Sequence, residues 1–407
     1  MSAANDAPLT TVYYAQSHYA RAPIPVEFPD LDECDIEIKN IGWTLGNDCP
    51  YRCSHCYSMS ARRKGQDLSR AIVDRVVDQL VVNGIETVNL GGNEPIFTNG
   101  LNIAHTLLPY IIRRLTEAGV LVGLTTSGVS AVQLERLFPS EFALLNDVDV
   151  SFDSPIPEEH NRNRGASIFN EAIRALELCR AYDIDRSIIL CAMSWNFDCD
   201  RLDQLIALAR GYGANVRINP LKTVDTSHLA LKLTPEQYYE GFAYLMGRCD
   251  ILDLGEPPLA TLTHAGGARG CPCGRTSFRI HAITPDGTIP VSPCVYLHDY
   301  KFGDLVIDDL DAIVHSPPFR TFRRRNRNPD RIPGCDGCAL IDSCRGGCAA
   351  RAYLAQAHQQ GSRALFSQDP YCPARFTGRW TFPQDPPIED IRLVHQNYLC
   401  TWIGRPR

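Results

Sequence analysis

The chain has 407 residues and a formal net charge of −7, with 47 Asp and Glu against 40 Lys and Arg. That length allows two or three domains whose core needs no staples, and the acidic balance leaves no electrostatic footprint for nucleic acid. No apolar run reaches the roughly 18 residues of a membrane span, and the opening MSAANDAPLTTVYY is neither a signal peptide nor a transit leader, so the chain reads as cytosolic.

Residues 1–40 read as an N-terminal extension. From 41 to 225, short β-branched runs alternate with longer periodic ones. IGWTLG is the first predicted strand, followed by a cysteine-bearing loop and the helix LSRAIVDRVVDQLVVNG, closed by Gly84. ETVNLGG is the second strand, and its helix LNIAHTLLPYIIRRLTEAG ends at Gly119. VLVGLTTSG pairs with AVQLERLF, DVDVSFDS with ASIFNEAIRALELCRAYD, and RSIILCAM with RLDQLIALARGYG; NVRINP is the sixth strand. Such alternation with short loops predicts an α/β fold, a parallel sheet covered by helices. Apolar residues on both faces of most strands agree. Periodicity leaves open whether the sheet closes. In either case functional residues belong in the loops at the carboxyl ends of the strands.

Residues 226–262 read as a bridging helical segment, with LTPEQYYEGFAYLMGR capped by Thr234 and Gln237. From 263 to 375 the chain is rich in Cys, Gly and Arg with few long periodic runs, as in a small domain held by metal. The tail, 376–407, is aromatic and expected to be ordered.

Seventeen cysteines are many for a cytosolic enzyme. Their number is odd and no export signal precedes them, so a disulfide framework is not expected. Cys49, Cys53 and Cys56 share the first loop, and eight more lie between 271 and 372. Clusters of this kind argue for metal centres. Cys34, Cys179, Cys191, Cys199, Cys249 and Cys400 are scattered singly and read as small buried hydrophobes. The first loop, C-x3-C-x2-C, offers three thiolates where a closed zinc site wants four ligands. His55 adjoins Cys56 and is poorly placed to complete one tetrahedral ion.

The loop resembles the signature of the radical S-adenosylmethionine (radical SAM) enzymes. The resemblance implies that Cys49, Cys53 and Cys56 hold three irons of a [4Fe–4S] cluster, leaving the fourth to the amino and carboxylate groups of S-adenosylmethionine. Tyr57 stands where the family has an aromatic residue near adenine. GGNEP, residues 91–95, resembles the family's Gly-Gly-Glu-Pro segment. Gly91, Gly92, Asn93 and Glu94 are thereby implied to bind the methionine amino group, with Asn93 replacing a common third glycine and tolerating left-handed geometry. TTSG and SFD resemble segments that line the methionine and ribose, which implicates Ser127, Ser151 and Asp153. Ser151 and Asp153 could bond ribose hydroxyls, and Asp153 could equally cap the next turn. PEEHNRNRGASIFNEAIRAL is similar to the stretch after strand four in members with an extra cysteine domain, peptide-modifying maturases among them.

CDGCALIDSCRGGC is C-x2-C-x5-C-x3-C at Cys335, Cys338, Cys344 and Cys348. With Cys372 after it and Cys271, Cys273 and Cys294 before it, it resembles the SPASM domain, which binds two auxiliary [4Fe–4S] clusters. Carried over, one cluster takes Cys273, Cys294 and Cys348 with Cys271 as fourth ligand. The other takes Cys335, Cys338, Cys344 and Cys372, which makes three [4Fe–4S] clusters in all. A pair of zinc sites is the alternative, since eight thiolates also suit two four-sulfur zinc ions. The basic run FRTFRRRNRNPDR, 319–331, reads as a solvated connector or as an edge that grips an acidic peptide. His264, His281 and His298 read as structural.

The resemblance covers about residues 41 to 375. It implies a partial (β/α)6 TIM-like barrel with a C-terminal SPASM domain. It also implies an external reductant of the flavodoxin or ferredoxin type, reductive cleavage of S-adenosylmethionine, and a 5′-deoxyadenosyl radical that abstracts a hydrogen atom. Within the family, the SPASM domain implies oxidative modification of a ribosomally made peptide, by cross-linking or side-chain oxidation. A second reading substitutes a small sugar or cyclitol. A third, a non-catalytic iron–sulfur electron carrier, needs neither the open position nor GGNEP. No acid or base stands out. About 40 residues precede strand one, fewer than a typical domain, which leaves leader binding to a separate protein or makes it unnecessary.

Overall fold

The computed structural model describes residues 36–58, 65–263, 270–298, 300–360, 365–376, 380–383, 388, 391–396 and 398–407. His264 and most of the N-terminal extension lie outside these. The predicted strands form: β1 (Asn40–Trp43), β2 (Thr87–Leu90), β3 (Leu121–Thr126), β4 (Asp147–Ser151), β5 (Asp185–Ala192) and β6 (Asn215–Pro220). They pair in parallel in sequence order. All four residues of β2 are buried, as are the first four of β4, as expected where helices cover a parallel sheet.

Intervening helices span Arg70–Val82, Leu108–Glu117, Val129–Leu137, Phe169–Ala181 and Cys199–Tyr212. Their ends follow local chemistry. The Ser69 and Asp198 side chains accept the N–H groups of Ile72 and Arg201, and Gly84 and Gly119 sit just past two helix ends at φ +67° and +79°. The second helix starts later than its periodicity suggests. Pro109 has no N–H and fits only the first turn, so LNIAH before it forms a separate 3-10 turn at Ile103–His105. PEEHNRNR forms a helix of its own, Pro157–Arg164, stopped by left-handed Gly165.

The bridging segment contains the expected helix, Pro235–Met246, with Thr234 and Gln237 exchanging capping hydrogen bonds of 3.2 and 3.0 Å. It also contains a strand that periodicity did not show, β7 (Cys249–Leu254). The cysteine-rich segment adds β8 (Ser277–Ile280) and β9 (Val291–Ser292), and the tail adds β10 (Trp402–Pro406). One sheet results, in the order β7-β10-β6-β5-β4-β3-β2-β1-β8-β9. β10 runs antiparallel between β6 and β7, with Trp402 and Ile403 fully buried. β8 lies parallel to β1, with Trp43 opposite Ile280. The barrel therefore stays open, its sheet extended at both edges by later parts of the chain. One hydrophobic core, running from Ile41 and Trp43 to Phe278 and Phe319, is shared by the barrel and the cysteine-rich segment. Among the described residues no helix is long and apolar enough to cross a membrane.

Candidate active site

Cys49, Cys53 and Cys56 lie in the loop beyond β1 and face one cavity at the carboxyl ends of the parallel strands. The end of the Pro157–Arg164 helix grips this loop. Ser54 N donates to Asn163 O at 3.0 Å and Arg52 N to Arg164 O at 3.4 Å, while Asn163 Nδ2 lies 3.0 Å from His55 Nδ1. Burial alone would raise the Asp153 carboxyl, but the Arg164 guanidinium, with His55, holds it well below the usual range. Arg164 donates to it at 2.6 and 2.8 Å, and Asn163 at 2.7 Å. Asp153 is fully buried in this pairing and does not line the cavity, so neither the ribose contact nor the turn cap describes it. Arg164 does face the cavity, with Nη1 3.9 Å from Cys53 Sγ. Burial pushes the Cys53 thiol up to about 11, so metal binding there must displace a proton.

The loop after β2 is braced by its own residues. Gly92 has φ +102°, and a Cβ there would fall 2.3 Å from Arg279 Nη2 and 2.5 Å from Thr44 Oγ1. Asn93 is not left-handed. Its amide instead donates to Gly46 O at 2.7 Å and accepts from Ser58 Oγ at 2.8 Å, tying both ends of the cysteine loop. Glu94 is buried, and its carboxylate accepts from Ser130 N at 2.9 Å, Ser127 N at 3.0 Å and the Thr126 hydroxyl. Of the roughly four acceptor positions of a carboxylate, three are thus occupied by the end of β3 and the start of the helix after it. Gly92, Asn93, Glu94, Ser127 and Ser151 line the cavity; Gly91 packs under Thr125, where a Cβ would come within 3.0 Å. Tyr57 lines it too and meets Tyr296 edge-on at 5.2 Å. His298 Nε2 lies 2.7 Å from Tyr57 O, and His281 Nε2 2.7 Å from Ser292 Oγ, both structural contacts.

The cavity floor is polar in ways the motifs did not show. Arg279, on β8, is buried and donates to Thr44 Oγ1, Gly91 O and, at 3.0 Å, the Tyr398 hydroxyl. None of these partners is a carboxylate. Lys222 lies 3.5 Å from Glu256 and 5.6 Å over the Tyr296 ring. Asp147 and Asp149 alternate on β4 and meet His395 from the tail, whose Nδ1 is 3.5 and 3.1 Å from their carboxylates. These three groups could hold a cation, but Arg217 is already ion-paired with Asp149. The D-x-D alternation within a buried strand was the one sequence signal for this network.

Burial, aided by the Arg217 charge, holds His395 down at about 3, and burial with Arg164 holds His160 at about 4. Burial also pushes Asp147 up to about 6. Unfolded histidine titrates near 6.5, so between roughly pH 6.5 and 4 the unfolded chain takes up two protons that the fold refuses. That stability is present above the window and lost as the pH falls. Asp147 acts in the opposite sense: its contribution is present below about pH 4 and lost as the pH rises through 6, cancelling about one proton. His55 and His281, held down by burial, add to the histidine side, so stability should fall by at least about 1.4 kcal/mol per pH unit below 6. Urea midpoints measured from pH 6.5 to 5 should decline, and His395→Asn should flatten the decline. A pH-independent midpoint would contradict this assignment.

Nine of the remaining cysteines form two groups, and the described cysteines are all free thiols. Cys335, Cys338, Cys344 and Cys372 make one group, in mutual electrostatic contact. The other holds five thiols rather than four. Cys273 is in hydrogen-bonding contact with Cys271 and Cys294, and Cys400 with Cys271, Cys273 and Cys348. Cys400 Sγ lies 3.6 Å from Cys271 Sγ, so Cys400 is no isolated hydrophobe. Cys344 and Cys348 go to different groups because the spacer between them turns sharply. Arg345, Gly346 and Gly347 are successive left-handed residues at φ 47°, 82° and 73°. Arg325 fastens that turn, donating to the carbonyls of Gly346, Gly347, Leu365 and Ser367, and Arg323 donates to Val314 O and Gly274 O. Both lie in the helix Pro317–Arg327 and are buried. Part of the basic run is therefore an internal brace.

Residues 43–203 match the radical SAM superfamily, and residues 271–339 match SPASM, an iron–sulfur cluster-binding domain. The chain is similar to the mycofactocin maturase MftC of Mycolicibacterium smegmatis, 29% identical over 325 residues that cover 77% of this chain and 78% of that one. In fold it is similar to anSMEcpe with bound AdoMet and Kp18Cys peptide, at TM-score 0.61 and 15% identity, covering 83% of this chain and 95% of that one. It is also similar in fold to Streptococcus suis SuiB bound to precursor peptide SuiA, at TM-score 0.60 and 14% identity, covering 82% and 75%. The two domain matches, in chain order on an open parallel barrel and a cysteine-rich segment, show that the chain is an enzyme carrying a radical SAM domain followed by a SPASM domain.

Proposed function

We propose that the protein oxidatively modifies a ribosomally made peptide, using S-adenosylmethionine and three [4Fe–4S] clusters. The observation that carries this reading is the convergence of the three loop thiols with Gly92, Asn93 and Glu94 on one cavity. All three donor sets consist of cysteine sulfur, which fits iron–sulfur ligation. Cys49, Cys53 and Cys56 would hold the catalytic cluster. Cys335, Cys338, Cys344 and Cys372 would hold one auxiliary cluster, and Cys273, Cys294 and Cys348 with a fourth thiolate of the same group would hold the other. When bound, the catalytic cluster with S-adenosylmethionine supplies one-electron radical chemistry.

The chain's own residues bind and orient. Tyr57, Gly92, Asn93, Glu94, Ser127 and Ser151 form the cofactor's walls, with Gly91 packed behind them under Thr125, and the remaining acceptor position of Glu94 suits an ammonium group. Asp153 acts indirectly, by holding Arg164 beside Cys53. Arg279, a buried cation that donates to Thr44, Gly91 and Tyr398, none of them a carboxylate, suits an anionic group of cofactor or substrate. A flavodoxin- or ferredoxin-type reductant would supply electrons, and a separate protein could present the peptide leader.

The peptide class is supported by the likeness to a named maturase and to two enzymes solved with peptides. Candidate peptides from neighbouring genes, incubated with reductant and S-adenosylmethionine, should lose two hydrogens by mass spectrometry. If they stay unchanged while a free sugar or cyclitol is oxidised, the small-molecule reading replaces this one.

A further inference from the structure

We propose that Cys400 is the fourth thiolate ligand of the auxiliary cluster held by Cys273, Cys294 and Cys348, so that the metal fastens the C-terminal segment into the cavity floor. This rests on the iron–sulfur reading of that group. A [4Fe–4S] cluster takes four thiolates, and five thiols meet here, so one must stand aside. Cys400 is in hydrogen-bonding contact with two of the three other ligands, Cys273 and Cys348, whereas Cys271 is in such contact with Cys273 and meets Cys348 through its charge. The Cys271 sulfur is also engaged by the backbone N–H groups of Ala349 and Cys273. It is separated from Cys273 by Pro272 alone, so its position follows that of Cys273. Cys400 arrives on an independent segment, and a metal bond there closes a long loop of chain, the kind of cross-link that gains most from loop-closure entropy.

The consequence reaches the active site. His395, Tyr398 and Leu399 line the cavity, and β10 begins two residues after Cys400. The Tyr398 hydroxyl accepts from Arg279. Ligation at Cys400 would therefore set where this floor lies, and cluster assembly and cavity shape become coupled.

The test begins with iron counts on anaerobically reconstituted full-length protein, wild type carrying about 12 iron. Cys400→Ser should retain about eight iron and lose one auxiliary electron paramagnetic resonance signal, while Cys271→Ser should retain about 12. The reverse pattern overturns the assignment. Because Cys400→Ser could fail by misfolding, selenocysteine at position 400 provides a second readout that keeps the ligand chemistry. Selenium-edge absorption should then show an iron neighbour. Full iron loading with no iron beside selenium overturns the role of Cys400 alone, whereas a wild type with only about four iron overturns the auxiliary-cluster reading itself.

Discussion

Replacing Cys49, Cys53 and Cys56 together by Ala should abolish formation of 5′-deoxyadenosine and lower bound iron from about 12 to about eight. The fold should survive, because the loop is held mainly by groups other than the thiols. Asn163 and Arg164 bind its backbone from the Pro157–Arg164 helix, and Asn93 bonds Gly46 and Ser58 at its two ends. Removing Cys53 even relieves a buried thiol that burial already penalises in its ionised form. The outcome is therefore a chemical loss without a structural one, visible as unchanged far-ultraviolet circular dichroism beside a silent cleavage assay. A variant that still cleaved S-adenosylmethionine would place the catalytic centre elsewhere. Zinc in place of iron after anaerobic purification would remove the auxiliary iron–sulfur clusters from the reading.

The second large effect is on stability. Arg351 is buried and donates to Glu256 at 3.0 and 3.1 Å and to Asp369 at 2.7 Å through two nitrogens. Its guanidinium also lies 4.7 Å over the Tyr371 ring. Asp369 in turn accepts from Cys348 N at 2.7 Å and Tyr371 N at 3.0 Å, so the network ends on an auxiliary-cluster cysteine. Burial disfavours the Arg351 charge, but the two carboxylates more than restore it. Arg351→Met would leave Asp369 and Glu256 buried, with Lys222 at 3.5 Å from Glu256. Breaking one side of a buried ion network costs about 3–5 kcal/mol. Denaturant midpoints should fall accordingly, and a chelator should strip auxiliary iron from this variant before the iron held at Cys49, Cys53 and Cys56. Adding Glu256→Gln and Asp369→Asn should recover part of the loss, since the stranded charges are then gone. A loss below about 1 kcal/mol would mean the network behaves like an exposed ion pair.

Local signals carried much of this protein. The six alternating strands and helices, the Thr234–Gln237 capping box and the glycines past the helix ends follow from periodicity and side-chain chemistry within a few residues. The cysteine loop and GGNEP were legible for the same reason: each is one short turn whose residues act together. Groups whose partners lie far along the chain were not legible. Asp153 looks free until Arg164 arrives from the next helix, and Glu94 looks available until the turn after β3 and the start of its helix close on it. Arg323 and Arg325 sit in a run that looks solvated, yet both turn inward to backbone carbonyls from distant turns, Arg325 to those of left-handed Gly346 and Gly347 and Arg323 to those of Gly274 and Val314. β10 is five residues long, and Trp402 finds Ile218 and Leu254 only after the barrel has formed. Cys400 reaches Cys271 across 129 positions in the same step. Period and capping determine which segments become strands or helices. Which edge a late strand fills, and which thiols and charges then meet, is decided by burial over distances along the chain that no local pattern encodes.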